Sequence, residues 1–128
     1  MNKQTKISTK KVYKFVGDPY SWPILLYIGS WPQFRSYVLR NYGFDFEDQD
    51  FEAGMHSILA NASVQISVIW LPYNPFEDME GIRVLSHELL HAAKAILDKC
   101  GVTLDEAGEA LCYFHENLNK QAHRLLCK

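Results

Sequence analysis

The chain has 128 residues, 48% hydrophobic and 22% charged, which excludes a disordered polymer and is enough for one domain with a real core. Lys and Arg total 13 against 15 Asp and Glu, a net charge of -2, so no basic excess points to nucleic acid or to an anionic membrane surface. No apolar run approaches the roughly 18 residues that span a bilayer, and no apolar segment follows the basic start at Met1 to Lys6 to make it a secretory signal.

Residues 1–10 are polar and lysine-rich and are expected to form a poorly ordered arm ahead of a single domain over 11–128. Val12 to Val16 alternates apolar and polar residues, the pattern of a half-buried strand. Gly17-Asp18-Pro19 turns the chain, and the apolar run Pro23 to Ile28 predicts a second, more buried strand. Ser30 and Pro32 mark the start of a helix that runs to about Asn41, buries Phe34, Tyr37 and Val38, and stops before Gly43.

Asp45 to Glu52 is an acidic loop, and His56 to Asn61 is a weak strand or one helical turn. Ser63 to Trp70 alternates cleanly and is the strongest strand signal in the chain; Pro72 and Pro75 end it. Met79 to Lys99 is predicted as a long helix ending at Gly101, and Thr103 to about Leu126 as another. The order implies an α+β domain: a short mixed or antiparallel sheet, one helix inserted between its strands, and two long helices after it.

His87-Glu88-Leu89-Leu90-His91 is an HExxH sequence. Residues four apart share a helix face, so both imidazoles reach one cation. Glu88 stands about 100° round the helix, beside the metal, where it takes a proton from water as general base. Leu85, Leu89, Leu90, Ala92, Ala93, Ile96 and Leu97 fill an arc of about 160°, with Glu88 at its edge and both histidines outside it.

Zinc needs a third protein ligand if one position is to stay open. The HExxHxxGxxH extension is absent, because Lys94 follows His91 with no Gly or His beyond. Asp98, Asp105, Glu106, Glu109, His115 and Glu116 remain. Thr103 to Glu106 reads as a capping box, which gives Glu106 another duty, and Asp105 suits a first helical turn. Glu109 has no such duty and, on an antiparallel helix, lies nearer the level of the histidines. It is the preferred third ligand, with Glu106 and Asp105 still open.

The segment SHELLHAAKAIL, followed after a short turn by LDEAGEALCYF, resembles the zincin-like (HExxH) metallopeptidases. The likeness is to small gluzincin or minigluzincin proteins, including peptidase-like proteins encoded by phages and prophages. It is specific over residues 84–114 and architectural before them. It implies a zincin-like domain that binds zinc through His87, His91 and Glu109. Glu88 is then the catalytic base of a zinc metallopeptidase, and the strand at 63–70 is the sheet edge that holds an extended peptide. The NExxxD pattern of thermolysin-like gluzincins is not matched by Asp105-Glu106-Ala107-Gly108-Glu109.

The remaining prominent residues carry ordinary expectations. His115 and His123 are expected on the surface, His56 in a polar role of its own, and Asp98 near a helix end. Tyr113 shares a helix side with Glu109 and is expected to pack, the other reading being a hydrogen-bond donor to a developing oxyanion. Trp22, Trp31, Trp70 and Tyr73 are candidates for a cleft, Trp70 and Tyr73 foremost. Cys100, Cys112 and Cys127 have no pairing pattern and fit free thiols in a reducing cytoplasm, with Cys112 in the core. Two readings compete with the peptidase: a non-catalytic zinc-containing module that binds a protein, and a regulatory protease dedicated to one partner. In every case the partner is a peptide or protein.

Overall fold

The computed structural model describes residues 10–46, 54–77, 79–102 and 108–127. All but the last residue of the expected arm at 1–10, most of the acidic loop, Asp105, Glu106 and the capping box at Thr103 lie outside the described residues.

The elements are β1 (Lys11–Gly17), β2 (Trp22–Ile28), α1 (Trp31–Tyr42), β3 (Met55–Ala60), β4 (Gln65–Leu71), α2 (Met79–Lys99) and α3 (Gly108–Leu126). A single 3-10 turn at Pro75–Glu77 precedes α2. The four strands form one mixed sheet in the order β1-β2-β4-β3. β2 and β4 are parallel at its centre, while β1 and β3 pair antiparallel on the outside. The domain is therefore α+β, as the order of sequence signals implies.

Local chemistry explains the boundaries. α1 opens on a capping box: Ser30 Oγ accepts from Gln33 N–H at 3.2 Å and Gln33 Oε1 accepts from Ser30 N–H at 3.1 Å. Pro32 sits in its first turn and Gly43 closes it. The hairpin between β3 and β4 is tied by Asn61, whose side-chain oxygen accepts from both Ser63 and Val64 N–H. α2 ends in a Schellman motif, with Val102 N–H on Leu97 O, Gly101 N–H on Asp98 O and Gly101 at φ 84°. Glycine is favoured there because a side chain would strain a left-handed backbone.

The alternation of each strand divides the core in two. Leu25, Tyr27, Val68 and Trp70 face α1, where they meet Phe34 and Val38. Ile24, Leu26, Ile69 and Leu71 face the other way, against Leu85, Leu89, Ala92 and Ile96 of α2 and Phe114, Leu118 and Ala122 of α3. The sheet thus carries α1 on one side and the α2–α3 pair on the other. His115 of α3 meets Ser86 of α2, and His123 stacks edge-on to Phe76 just before α2, so the two long helices run antiparallel.

Several expectations are corrected. The strand at 63–70 is not a sheet edge: β4 lies between β2 and β3, and the edge beside α2 is β3, the weaker of the two signals. Its weakness reflects a strand that buries only Met55 and Leu59 fully. Trp70 does not face α2; it is buried under α1, edge-on to Trp31, and its Nε1–H donates to Gly29 O. Cys112 is exposed rather than core, as are Cys100 and Cys127. Tyr113 is 64% exposed rather than packed. His115 and His123 are half-buried rather than on the surface, because each fills the seam along α2.

Candidate metal centre

α2 places the HExxH residues. Its apolar stripe faces the sheet and turns His87 and His91 outward, where both are exposed. The rings meet edge to face with centroids 4.7 Å apart, and the two Nε2 atoms are 3.1 Å from each other. A tetrahedral ion with bonds of 2.0–2.1 Å holds two nitrogens about 3.3 Å apart. The pair is therefore close to the spacing a single cation requires, and neutral imidazole nitrogen is a donor that suits zinc. This part of the site was legible from the spacing of the two histidines.

Glu88 is more enclosed than the helical wheel implies: it is 8% exposed, whereas Leu90 on the opposite margin is 37% exposed. The buried arc of α2 is rotated toward Val84 and Glu88. The cause is Gly54, at the head of β3. A Cβ there would stand 2.9 Å from Val84 Cγ1 and 3.4 Å from Glu88 Oε2, so the bare backbone lets the strand lie against the carboxylate. Burial raises the Glu88 pKa, and the neighbouring His87 and His91 partly offset that rise. A carboxyl pushed up from its ordinary value is better matched to proton transfer near neutrality than one in open water.

His56 belongs to the same corner. It sits in register with Ile69 of β4, whose side chain faces α2, and follows Gly54 by one strand repeat. Burial, reinforced by the repulsion of His91, pushes its pKa down to about 4, so the ring is neutral at physiological pH. Its Nε2 is fully enclosed and has no partner among the described residues. The expectation of an isolated polar histidine missed this. The only signal in the chain is that His56 stands two residues beyond Gly54 on a strand, and nothing in the sequence says that the strand borders α2.

The expected third ligand, Glu109, is less directly placed. The meeting of His115 with Ser86 sets the helices' relative height. Counting back along α3 and forward along α2 brings Glu109 level with Ala92, beside His91. Glu109 is exposed, and Tyr113 stands one turn further along α3, also exposed. Asp98 is exposed too. Among the described residues, no three His, Cys, Asp or Glu side chains come together at metal-binding spacing. The structure thus brings His87 and His91 together with Glu88 on the same turn, puts His56 on the α2 side of the neighbouring strand, and leaves Glu109 level with Ala92 without joining it to them.

No helix among the described residues is long and apolar enough to cross a membrane. Comparisons with protein-family models, with curated proteins and with solved structures give no match to this chain.

Proposed function

We propose that the chain is a zinc-dependent metallopeptidase of the minigluzincin kind. The observation that carries this reading is the pair of imidazole Nε2 atoms 3.1 Å apart on α2, with the enclosed carboxylate of Glu88 on the same turn. The donor set suits the metal: His87 and His91 would hold it, and Glu109 of α3 would supply the third ligand. The resemblance of SHELLHAAKAIL and LDEAGEALCYF to gluzincins supports the same roles. Bound zinc supplies Lewis acidity, polarising a carbonyl and lowering the pKa of water.

The protein's own groups do the rest. Glu88, its affinity for a proton raised by burial against β3, removes a proton from the attacking water and returns it to the leaving amine. The enclosure by Gly54 and Val84 keeps the carboxylate in place for both transfers. β3 borders α2 at the sheet's edge, so its outward backbone groups bind an extended peptide as an added strand across the helix. Leu90 and Tyr113, the exposed apolar side chains nearest the histidines on α2 and α3, contact the side chains of that peptide.

Elemental analysis of the purified protein with a peptide-library cleavage assay tests this. The expected result is one zinc per chain and metal-dependent cleavage. Glu88→Gln should keep the zinc and lose hydrolysis by about 10²–10⁴-fold, while His87→Ala and His91→Ala lose the zinc. Hydrolysis retained by Glu88→Gln, or a chain without affinity for zinc, refutes the reading. Zinc bound with no cleavage of any peptide or protein assigns a binding module instead.

A further inference from the structure

The sheet has two edges of different chemistry. β3 carries no charged residue, whereas β1 carries Lys11 and Lys14 and no acid. The register of β1 shows which of its backbone groups look outward. Val16 lies opposite Pro23, which has no N–H to offer, so Val16 turns its own groups away from β2, and by alternation so do Lys14 and Val12. α3 uses one of these positions. Gln121 Nε2 donates to Val16 O at 2.7 Å, and its Oε1 accepts from Asp18 N–H at 3.2 Å. One residue of a parallel neighbouring strand makes the same pair of bonds, to backbone groups two residues apart. The Gln121 amide therefore stands in the place of one residue of an added strand. The outward groups of Val12 and Lys14 remain without a partner strand among the described residues.

Gly17 lets α3 come this close: a Cβ there would stand 3.0 Å from Leu118 Cδ2 and 3.4 Å from Phe114 Cζ. Beside the Gln121 clamp a shallow groove of about 160 Å³ opens between strand and helix, lined by Phe15, Gln121, Arg124 and Leu125. Phe15 and Leu125 make one wall apolar. Arg124 is exposed, and neither it nor Lys11 nor Lys14 is in an ion pair among the described residues. Val12 packs toward α1 and Phe15 toward α3, so Lys14 lies on the α1 side of the edge and Lys11 on the α3 side with Arg124. A segment lying along β1 alternates its side chains between these two sides and meets a cation on each. Asp18, the acid closest to β1 in the sequence, comes after the clamped end of the strand.

We propose that the outer edge of β1 is a docking site for an extended acidic segment of a partner protein. The segment adds a strand at Val12 and Lys14, sets an apolar side chain between Phe15 and Leu125, and brings carboxylates to Lys11, Lys14 and Arg124. Main-chain bonds supply the affinity and the cations select the partner. A second copy pairing edge to edge would instead set lysine against lysine, which is unfavourable. The site is across the sheet from β3 and does not depend on the metal-site reading.

Arrays of short peptides that alternate an apolar residue with Glu, Gln or Lys, probed with the full chain, test this. The Glu peptides should bind, the Gln peptides more weakly, and the Lys peptides not at all. In solution, with the best Glu peptide as a fluorescent probe, Lys14→Glu and Arg124→Glu should each weaken binding about tenfold or more. N-methylating every second amide of the peptide leaves its charge unchanged; it should abolish binding in one register and spare it in the other, because only one set of amides faces β1. Val12→Pro removes an outward N–H from an edge strand and should also abolish binding. The methylated peptides need no altered protein, so they decide the matter if that variant does not fold. Absence of binding by every Glu peptide, equal binding of Glu and Lys peptides, or indifference to methylation in both registers overturns the proposal. A dimer seen by sedimentation and lost in Val12→Pro makes the occupant a second copy and overturns it, as does an oligonucleotide that binds more tightly than any Glu peptide.

Discussion

The two faces of the sheet are built from one alternating pattern and treat polar atoms in opposite ways. On the α1 face, Tyr27, Trp31, Phe34, Phe46 and Trp70 form a chain of ring contacts, and the buried indole N–H of Trp70 is paired with Gly29 O. On the α2 face, Glu88 is buried beside two histidines, and the unpaired atoms of Trp22, His56 and Ser67 all lie there. The two faces thus differ in how far their buried polar atoms are paired. The difference implies that the two sides respond differently to substitution.

The largest effect is expected on the purely structural side. Phe34 is fully buried and touches three other rings, so Phe34→Ala should destabilise by about 3–5 kcal/mol. Urea unfolding measures this, and the zinc affinity of the folded fraction should not change. A selective loss of zinc binding with stability intact would erase the distinction between the faces.

Next comes pH, which acts on the α2 side. His56 has an ordinary pKa of 6.5 and a folded value of about 4. Below 6.5 the unfolded chain takes up a proton that the folded ring refuses. The metal-free protein should therefore lose stability as pH falls through this window, by up to about 3 kcal/mol. Glu88 works in the opposite sense, because its raised pKa makes the charged form unfavourable and protonation relieves it. The contribution of His56 is read as the difference between wild type and His56→Leu in chelator, and a pH-independent difference would contradict it.

Two smaller effects sharpen the contrast. Ser30→Ala removes the α1 capping box and should cost about 1 kcal/mol, seen as a lower unfolding midpoint. Ser67→Ala removes a buried hydroxyl that has no partner, and should be neutral or stabilising by up to about 1 kcal/mol. A destabilisation larger than that would mean the hydroxyl is paired.

Much of this organisation is readable in the chain. The 3.6-residue period over Met79–Lys99 and Gly101 beyond it define α2 to the residue, and the four-residue spacing of His87 and His91 is sufficient to bring their nitrogens together. Ser30, Gln33 and Gly43 bound α1 for equally local reasons. Which strand forms the edge is not local. Ser63 to Trp70 alternates like a half-buried strand, yet β4 buries both its faces, Ser67 included, so the alternation says nothing about its neighbours. The place of Trp70 under α1 is hidden for a related reason: alternation shows that two faces differ, but not which helix covers each. Glu109 sits between the two cases, since helix length predicts its height and only packing decides its direction.

Taken alone, the order of residues determined the helices, the caps of α1, the end of α2 and the pair of imidazoles, because these depend on contacts within a few positions along the backbone. Tertiary structure decided that β3 lies against the motif, that Glu88 is enclosed and that His56 lies on the α2 side of its strand. Those contacts join segments far apart in the chain, and they follow from how the sheet is ordered and which side each helix covers, which no short window of sequence contains.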